Sequence, residues 1–150
     1  MPNEGKYTAY CGLYCLDCIP SNRKLFLTVK ELEKLLTDLQ FREYAEFKSG
    51  KTEIFKDYLK FLATLQEIGK LECPAPCREG GGNPDCRVRK CVLSRGYEGC
   101  WECNNYQTCE LLLPFKEVHP NLKCHIELIK KNGLEKWAVK RRKHYSWQPD

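Results

Sequence analysis

Two long stretches of the chain carry hydrophobic residues at the spacing of one helix face. The first follows Ser21, a residue type that caps helix N-termini, and its apolar side chains recur at helical spacing as far as Gly50. The second begins at Thr52 and stops at Gly69, where a helix-ending glycine is expected. This pattern predicts a helical hairpin over residues 21–70.

Helical periodicity returns near the C-terminus. Asn121 starts a stretch whose apolar residues stay in phase until Gly133, and a last helix is predicted from Leu134 to about Tyr145. We therefore expect C-terminal helices that end in a basic tail over residues 111–150.

The segment between the two helical regions has a different composition. Residues 73–109 contain seven of the 11 cysteines, three of the eight prolines and five of the ten glycines, with few aliphatic side chains. Such a segment is not expected to bury a conventional hydrophobic core, so it needs a crosslink. A further cysteine group, a knuckle, lies within residues 1–20.

The surroundings of the protein decide which crosslink the cysteines form. The sequence has no apolar stretch long enough to span a membrane, and its N-terminus lacks the pattern of a secretory signal. We therefore expect a cytoplasmic protein that does not enter a membrane. Since cytoplasmic thiols are kept reduced, dense cysteines there indicate metal binding rather than disulfides.

The spacing of the cysteines supports metal binding. Two to four residues separate the members of four pairs, which are Cys15 and Cys18, Cys73 and Cys77, Cys86 and Cys91, and Cys100 and Cys103. Cys11 and Cys109 are flanking candidates. A tetrahedral zinc ion needs four ligands that short turns aim inward, at about 2.3 Å from each sulfur. The sequence therefore predicts two zinc ions in closed, structural four-cysteine sites.

The partition of these ligands stays open at this stage. Chain order suggests one site from Cys15, Cys18, Cys73 and Cys77, and a second from Cys86, Cys91, Cys100 and Cys103. Cys11 or Cys109 could replace any of them. Cys124 lies on a helical face and is interpreted as an ordinary residue. Its neighbour His125 is an alternative late ligand, but it is expected at the surface.

The predicted fold class follows from these patterns. It is a single domain over residues 1–150, mainly α, with an irregular metal-stabilised lobe over residues 71–110. That lobe is expected to be zinc-ribbon-like or loop-rich. The run Gly80-Gly81-Gly82 within it lacks the lysine of a phosphate-binding loop, so it predicts a turn between ligand pairs.

An iron–sulfur cluster is the alternative for the same ligands. The spacing Cys11-x3-Cys15-x2-Cys18 is similar to that of radical S-adenosylmethionine enzymes, whose three cysteines hold a four-iron cluster. The chain is too short for the barrel of those enzymes, and Asp17 stands where they commonly have an aromatic residue. No acid–base pair or nucleophile pattern supports another enzyme activity.

Charge provides a second alternative. The formal net charge is +5, and residues 130–150 carry all of the excess. Lys140, Arg141, Arg142 and Lys143 interleave with aromatic residues, a combination that suits nucleic-acid binding. Basic residues also suit the C-terminal end of a helix, so a solvated helix end explains the same pattern.

Three motifs together resemble a known family. They are Cys11-Gly-Leu-Tyr-Cys15-x2-Cys18, Cys77-Arg-Glu-Gly-Gly-Gly-Asn-Pro-x-Cys86 and Gly96-Tyr-Glu-Gly-Cys100-Trp-Glu-Cys103. Through them the chain resembles the uncharacterised cysteine-rich family catalogued as domain of unknown function 3795.

The resemblance implies zinc binding but no activity. The ligands that it implies are Cys11, Cys15, Cys18, Cys77, Cys86, Cys91, Cys100, Cys103 and Cys109. Two residues usually separate the corresponding cysteines of the family, whereas three separate Cys73 and Cys77. Cys73 is therefore not among the ligands that the resemblance implies. We therefore predict a structural zinc protein that serves as a binding module for an unknown protein partner.

Overall fold

The computed structural model describes residues 4–149, and their regular structure is mainly helical. The α-helices are Glu4–Tyr7 (α1), Arg23–Asp38 (α2), Phe41–Ser49 (α3), Tyr58–Lys70 (α4), Arg87–Ser94 (α5) and Leu122–Asn132 (α6). The 3-10 helices are Cys15–Asp17, Ile19–Ser21, Glu53–Asp57, Cys77–Glu79, Cys100–Glu102, Tyr106–Thr108, Glu110–Phe115 and Ala138–Lys140. The prediction of a mainly α fold is confirmed.

Strand structure in the described residues is limited to one isolated β-bridge, between Thr8 and Tyr14. A zinc ribbon would need β-hairpins, and the cysteine-rich segment has none. Of the two forms expected from the sequence, zinc-ribbon-like and loop-rich, the segment therefore has the loop-rich one. None of the helices in residues 4–149 is both long and apolar enough to cross a membrane.

The chain forms two compact units. Asn22–Glu72 make up the first, here called the helical unit. The described residues up to Ser21 and from Cys73 onward make up the second, here called the cysteine unit. All of the predicted metal ligands belong to the cysteine unit.

The helical unit is built on the contact between α2 and α4. The side chain of Asn22 caps α2 by accepting a hydrogen bond from the backbone N–H of Leu25 at 3.1 Å, so the cap is one residue later than the predicted Ser21. The buried side chains of the unit are Phe26, Val29, Ala45, Tyr58 and Leu65.

The prediction of one long first helix that runs to Gly50 is wrong, because two helices form in this stretch. The chain turns at Gln40, whose φ of 50° is left-handed, and this turn separates α2 from α3. The turn lets the ring of Phe41 lie 5.4 Å from the ring of Tyr58. The sequence has no glycine or proline here that would indicate the end of a helix, and the apolar spacing continues. Tertiary packing therefore decides where α2 ends.

The cysteine unit has a conventional hydrophobic core, contrary to the expectation for residues 73–109. The buried core residues include Val88, Val92, Trp101 and Tyr106 from that segment, together with Ile126 and Ile129 of α6 and the fully buried Trp137. The indole N–H of Trp137 donates to the hydroxyl of Thr8 at 2.8 Å. The core therefore draws together both ends of the described chain.

The predicted last helix, from Leu134 to about Tyr145, is wrong. Only Ala138–Lys140 form a 3-10 turn there, and the following chain is fixed by hydrogen bonds to other segments. The Asn121 side chain donates to the carbonyl of Lys143 at 3.2 Å, and the N–H of Ser146 donates to Val118 at 3.0 Å. These contacts replace the hydrogen bonds that a helix would have made.

Candidate metal centre

The two Cys-x-x-Cys segments adopt the same local structure. Cys15 and Cys100 each open a 3-10 turn. The N–H of Cys18 donates to Cys15 at 3.0 Å, and that of Cys103 donates to Cys100 at 3.1 Å. Both closing cysteines are extended, with φ and ψ of −78° and 128° at Cys18 and −82° and 128° at Cys103. A 3-10 turn brings side chains three residues apart close together, which suits a pair of metal ligands.

An acidic residue precedes the second cysteine of each turn and anchors it. Asp17 accepts two hydrogen bonds from the guanidinium of Arg141, one of them at 2.9 Å from Nη2. The carboxylate of Glu102 accepts from the N–H of Glu98 at 2.6 Å. Asp17 thus holds its turn in place at the position where radical enzymes commonly have an aromatic residue.

Six cysteines line a cavity of about 460 Å³ in the cysteine unit, here called the six-cysteine cavity. They are Cys11, Cys15, Cys18, Cys73, Cys77 and Cys86. The rest of the lining is mixed, with apolar residues beside polar and charged ones that include Asp85, Arg87, Glu110, His119, His144 and Tyr145.

A second, much smaller cavity of about 30 Å³ is lined by four other cysteines, and we call it the four-cysteine cavity. These are Cys91, Cys100, Cys103 and Cys109. All 11 cysteines are free thiols, and Cys124 lines neither cavity. The ten predicted ligand residues therefore divide six and four between the two cavities.

This division differs from the partition that chain order suggested, because Cys86 belongs to the other group. Cys86 lies at the start of α5 and lines the larger cavity, whereas Cys91 lies within α5 and lines the smaller one. Five residues along an α-helix correspond to a rise of about 7.5 Å and more than one full turn, so the two thiols diverge. Cys109 takes the fourth position beside Cys91.

Neighbouring thiols are near enough to influence one another, both within each group and between the two groups. Burial is the main cause that raises the pKa of Cys100 to about 12, and the charges of Cys109, Cys103, Cys91 and Cys86 contribute to that value. Burial likewise raises the pKa of Cys15 to about 11, with Cys77 and Cys18 adding to the effect. Several thiolates cannot share such a site unless a cation compensates their charge, and a bound metal ion reverses the direction of these pKa shifts.

The glycine run wraps around Cys73. The N–H of Gly82 donates to the Cys73 sulfur at 3.1 Å. A Cβ at Gly81 would overlap the carbonyl oxygen of Ala75, so this position has no room for a side chain. The guanidinium of Arg89 holds the loop by donating to the carbonyl of Gly81 at 2.7 Å. The run is therefore an anchored loop around a thiol.

Two histidines are buried, contrary to the expectation for His125. His125 is 1% exposed and His144 is 2% exposed, and Nδ1 of each ring is buried without a hydrogen-bond partner. Burial lowers the pKa of both side chains, to about 4 for His144. The burial of His144 could not be read from the sequence, because the helix predicted for its segment does not form.

The basic tail is only partly free for a partner. Arg141 pairs with Asp17, and its guanidinium also lies 4.5 Å from the ring centroid of Tyr14. Lys140 and Arg142 are exposed, whereas Lys143 is half-buried. Arg141 is thus committed to the fold.

No group of three or more histidine, cysteine, aspartate or glutamate side chains in residues 4–149 has the geometry of an assembled metal site. The chemistry of the donors nevertheless fits a metal. Both cavities collect free thiols, and thiolate sulfur favours zinc and iron–sulfur clusters. The donor set therefore fits both metals that the sequence allowed.

Comparison with known proteins identifies the family. A family described as protein of unknown function, DUF3795, matches residues 7–114. The chain belongs to the DUF3795 family. The matched region contains all ten cysteines that line the two cavities, whereas Cys124 and His144 lie beyond it. Neither a curated protein nor a solved structure matches the chain.

Proposed function

We propose that this DUF3795 protein is a structural zinc protein that holds one zinc ion in each of its two cavities. The observation that carries the proposal is the division of ten of the 11 cysteines between the two cavities, while Cys124 lines neither. If the cysteines served only as small apolar residues, we would not expect ten of them to line the same two cavities.

The four-cysteine cavity suits one closed tetrahedral site. Four thiolates satisfy a zinc ion and leave no open position for a substrate. The charge of Cys91 raises the pKa of the neighbouring Arg95. Arg95 is therefore placed to offset part of the negative charge that four thiolates and one zinc ion carry together.

The six-cysteine cavity offers more donors than one tetrahedral ion needs. Cys18 and Cys73 each have a hydrogen-bond partner at sulfur, the hydroxyl of Tyr145 at 3.4 Å and the N–H of Gly82 at 3.1 Å. Such bonds from outside the ligand shell orient metal ligands and tune their donor strength. These two sulfurs are accordingly proposed as ligands.

Zinc bound in this way would crosslink the cysteine unit and neutralise its thiolates. The residues of the chain orient the sulfurs through the two 3-10 turns and the loop at Gly81. The proposed role of the protein is to present the folded unit to a protein partner in a reducing compartment such as the cytoplasm.

An iron–sulfur cluster in the larger cavity is the second candidate. Cys11, Cys15 and Cys18 all line that cavity, which favours this candidate because they form the Cys-x3-Cys-x2-Cys motif. Metal analysis and a visible spectrum of anaerobically purified protein distinguish the two. Stoichiometric zinc in colourless protein supports the proposal, whereas iron with broad absorbance near 400 nm would replace it with the cluster.

Nucleic-acid binding through the tail is the weaker proposal, since Arg141 is paired with Asp17. It requires an affinity that falls with salt and is lost when Lys140, Arg142 and Lys143 are all changed to Gln. An unchanged affinity in that variant would assign the binding elsewhere.

A further inference from the structure

We propose that His144 supplies a nitrogen ligand to the zinc ion of the six-cysteine cavity, so that this centre is a mixed cysteine–histidine site. The inference rests on the proposed zinc binding and adds a residue that lies outside the matched family region.

The first observation is a buried, unsatisfied nitrogen on a residue that lines the cavity. His144 lines the six-cysteine cavity and is 98% buried, and its Nδ1 has no hydrogen-bond partner. Buried polar atoms in folded proteins are almost always paired, because an unpaired one loses its interaction with water without compensation. A metal ion at the cavity would supply the missing partner.

The second observation concerns Tyr145, the residue next to His144. Tyr145 also lines the cavity, and its hydroxyl lies 3.4 Å from the sulfur of Cys18, a proposed ligand. The chain at His144 is therefore tied to this cavity by a contact from the adjacent residue to one of its thiols.

The ring of His144 is held in place by the residues around it. It meets the ring of His119 edge to face at a centroid distance of 4.6 Å and that of Tyr145 at 4.5 Å. Its backbone N–H donates to the side chain of Gln148 at 2.8 Å. A ring that is fixed before the metal binds loses little conformational entropy on binding.

Two other histidines show why His144 is singled out. His119 also lines the cavity, but its Nδ1 bonds the backbone carbonyl of His144 at 2.8 Å. His125 has an unpartnered Nδ1 as well, yet it does not line the cavity, and its Nε2 lies 3.1 Å from the carbonyl of Arg142. Two buried ring nitrogens in residues 4–149 lack a hydrogen-bond partner, and of these only Nδ1 of His144 belongs to a residue that lines the cavity.

X-ray absorption at the zinc edge tests the inference on the full-length, zinc-loaded protein. We expect sulfur scattering at about 2.3 Å together with imidazole scattering whose first shell lies at about 2.0–2.1 Å. The His144→Ala variant should lose the imidazole signal, and His125→Ala, the matched buried control, should keep it. His144→Cys should restore zinc content with sulfur scattering alone, which keeps the test valid if His144→Ala folds poorly.

The outcomes separate the two proposals. Zinc with sulfur scattering alone in the unchanged protein would overturn the role of His144 and leave the zinc proposal standing. An imidazole signal that persists in His144→Ala would also overturn it. Protein that binds no zinc at all would refute the proposed function, and the role of His144 would fail with it.

Discussion

The hydroxyl of Tyr145 lies 3.4 Å from the sulfur of Cys18, although 127 positions separate the two residues in the chain. The N–H of Ile19 donates to the same hydroxyl at 3.2 Å, which leaves the hydroxyl proton available for the sulfur. Burial raises the pKa of Tyr145 to about 12, so the hydroxyl stays protonated at neutral pH. The C-terminal segment thereby supports a turn near the N-terminus.

The Tyr145→Phe substitution tests this support. It removes the hydrogen bond to the Cys18 thiolate and keeps the ring, so zinc affinity should fall by about 10-fold, at the lower end of the range for partners outside the ligand shell. Competition with a chromogenic chelator measures the affinity. Tyr44→Phe is the control, because that tyrosine is exposed on the helical unit. Equal affinity in both variants would show that the hydroxyl does not act on the site.

Gly81 provides a test of the loop around Cys73. In Gly81→Ala the new methyl group would overlap the Ala75 carbonyl, so the backbone must move and the loop around the sulfur must open. We expect a loss of unfolding free energy near 3 kcal/mol, at the upper end of the about 1–3 kcal/mol typical of overpacking. Chemical denaturation of zinc-loaded protein measures it.

Gly80→Ala is the matched control for that loop. Its φ of 92° strains an alanine, but a Cβ there meets open space, so the loss should be about 1 kcal/mol. If both variants unfolded at the same denaturant concentration, the close approach at Gly81 would have no role in stability.

The fold could be predicted where periodicity and burial agree. The spacing that placed helices near α2, α4 and α6 reflects side chains that pack on one face, so the sequence contains the signal. The segment from Leu134 to Tyr145 shows the same spacing but is held by Asn121 and Val118, which are distant in the sequence. Contacts of that kind leave no periodic pattern from which a single sequence could predict them.

The division of the cysteines provides a third prediction. Cys109→Ser should lower the zinc content by about one ion per chain, because it leaves the four-cysteine cavity with only three sulfurs. Cys124→Ser should leave the zinc content unchanged, since Cys124 lines neither cavity. Elemental analysis of protein purified in parallel gives both values. Equal zinc loss in the two variants would refute this division.

The sequence singles out the ten cysteines that line the two cavities, but it does not show how they are grouped. Spacing identifies cysteines as metal ligands, yet it treats Cys86 and Cys91 as one tight turn. They instead flank a helical turn of α5 and diverge. His144 could not be found from the sequence, because its place at the six-cysteine cavity depends on the path of an irregular C-terminal segment.

The ion pair of Arg141 and Asp17 gives a fourth prediction. Arg141→Gln should lower the unfolding free energy by about 1–2 kcal/mol, because the largely buried carboxylate of Asp17 loses two charge-assisted hydrogen bonds. Lys140→Gln should change stability by less than about 0.5 kcal/mol, since that side chain is exposed. Thermal unfolding at fixed zinc concentration measures both. A larger loss in Lys140→Gln than in Arg141→Gln would contradict this structural role.

Native mass spectrometry of the anaerobically purified full chain counts the metal ions bound to intact protein. We expect a dominant species whose mass exceeds that of the chain by two zinc ions and that loses both on chelation. Folded protein at the mass of the bare chain, with no metal bound, would contradict the proposed zinc binding.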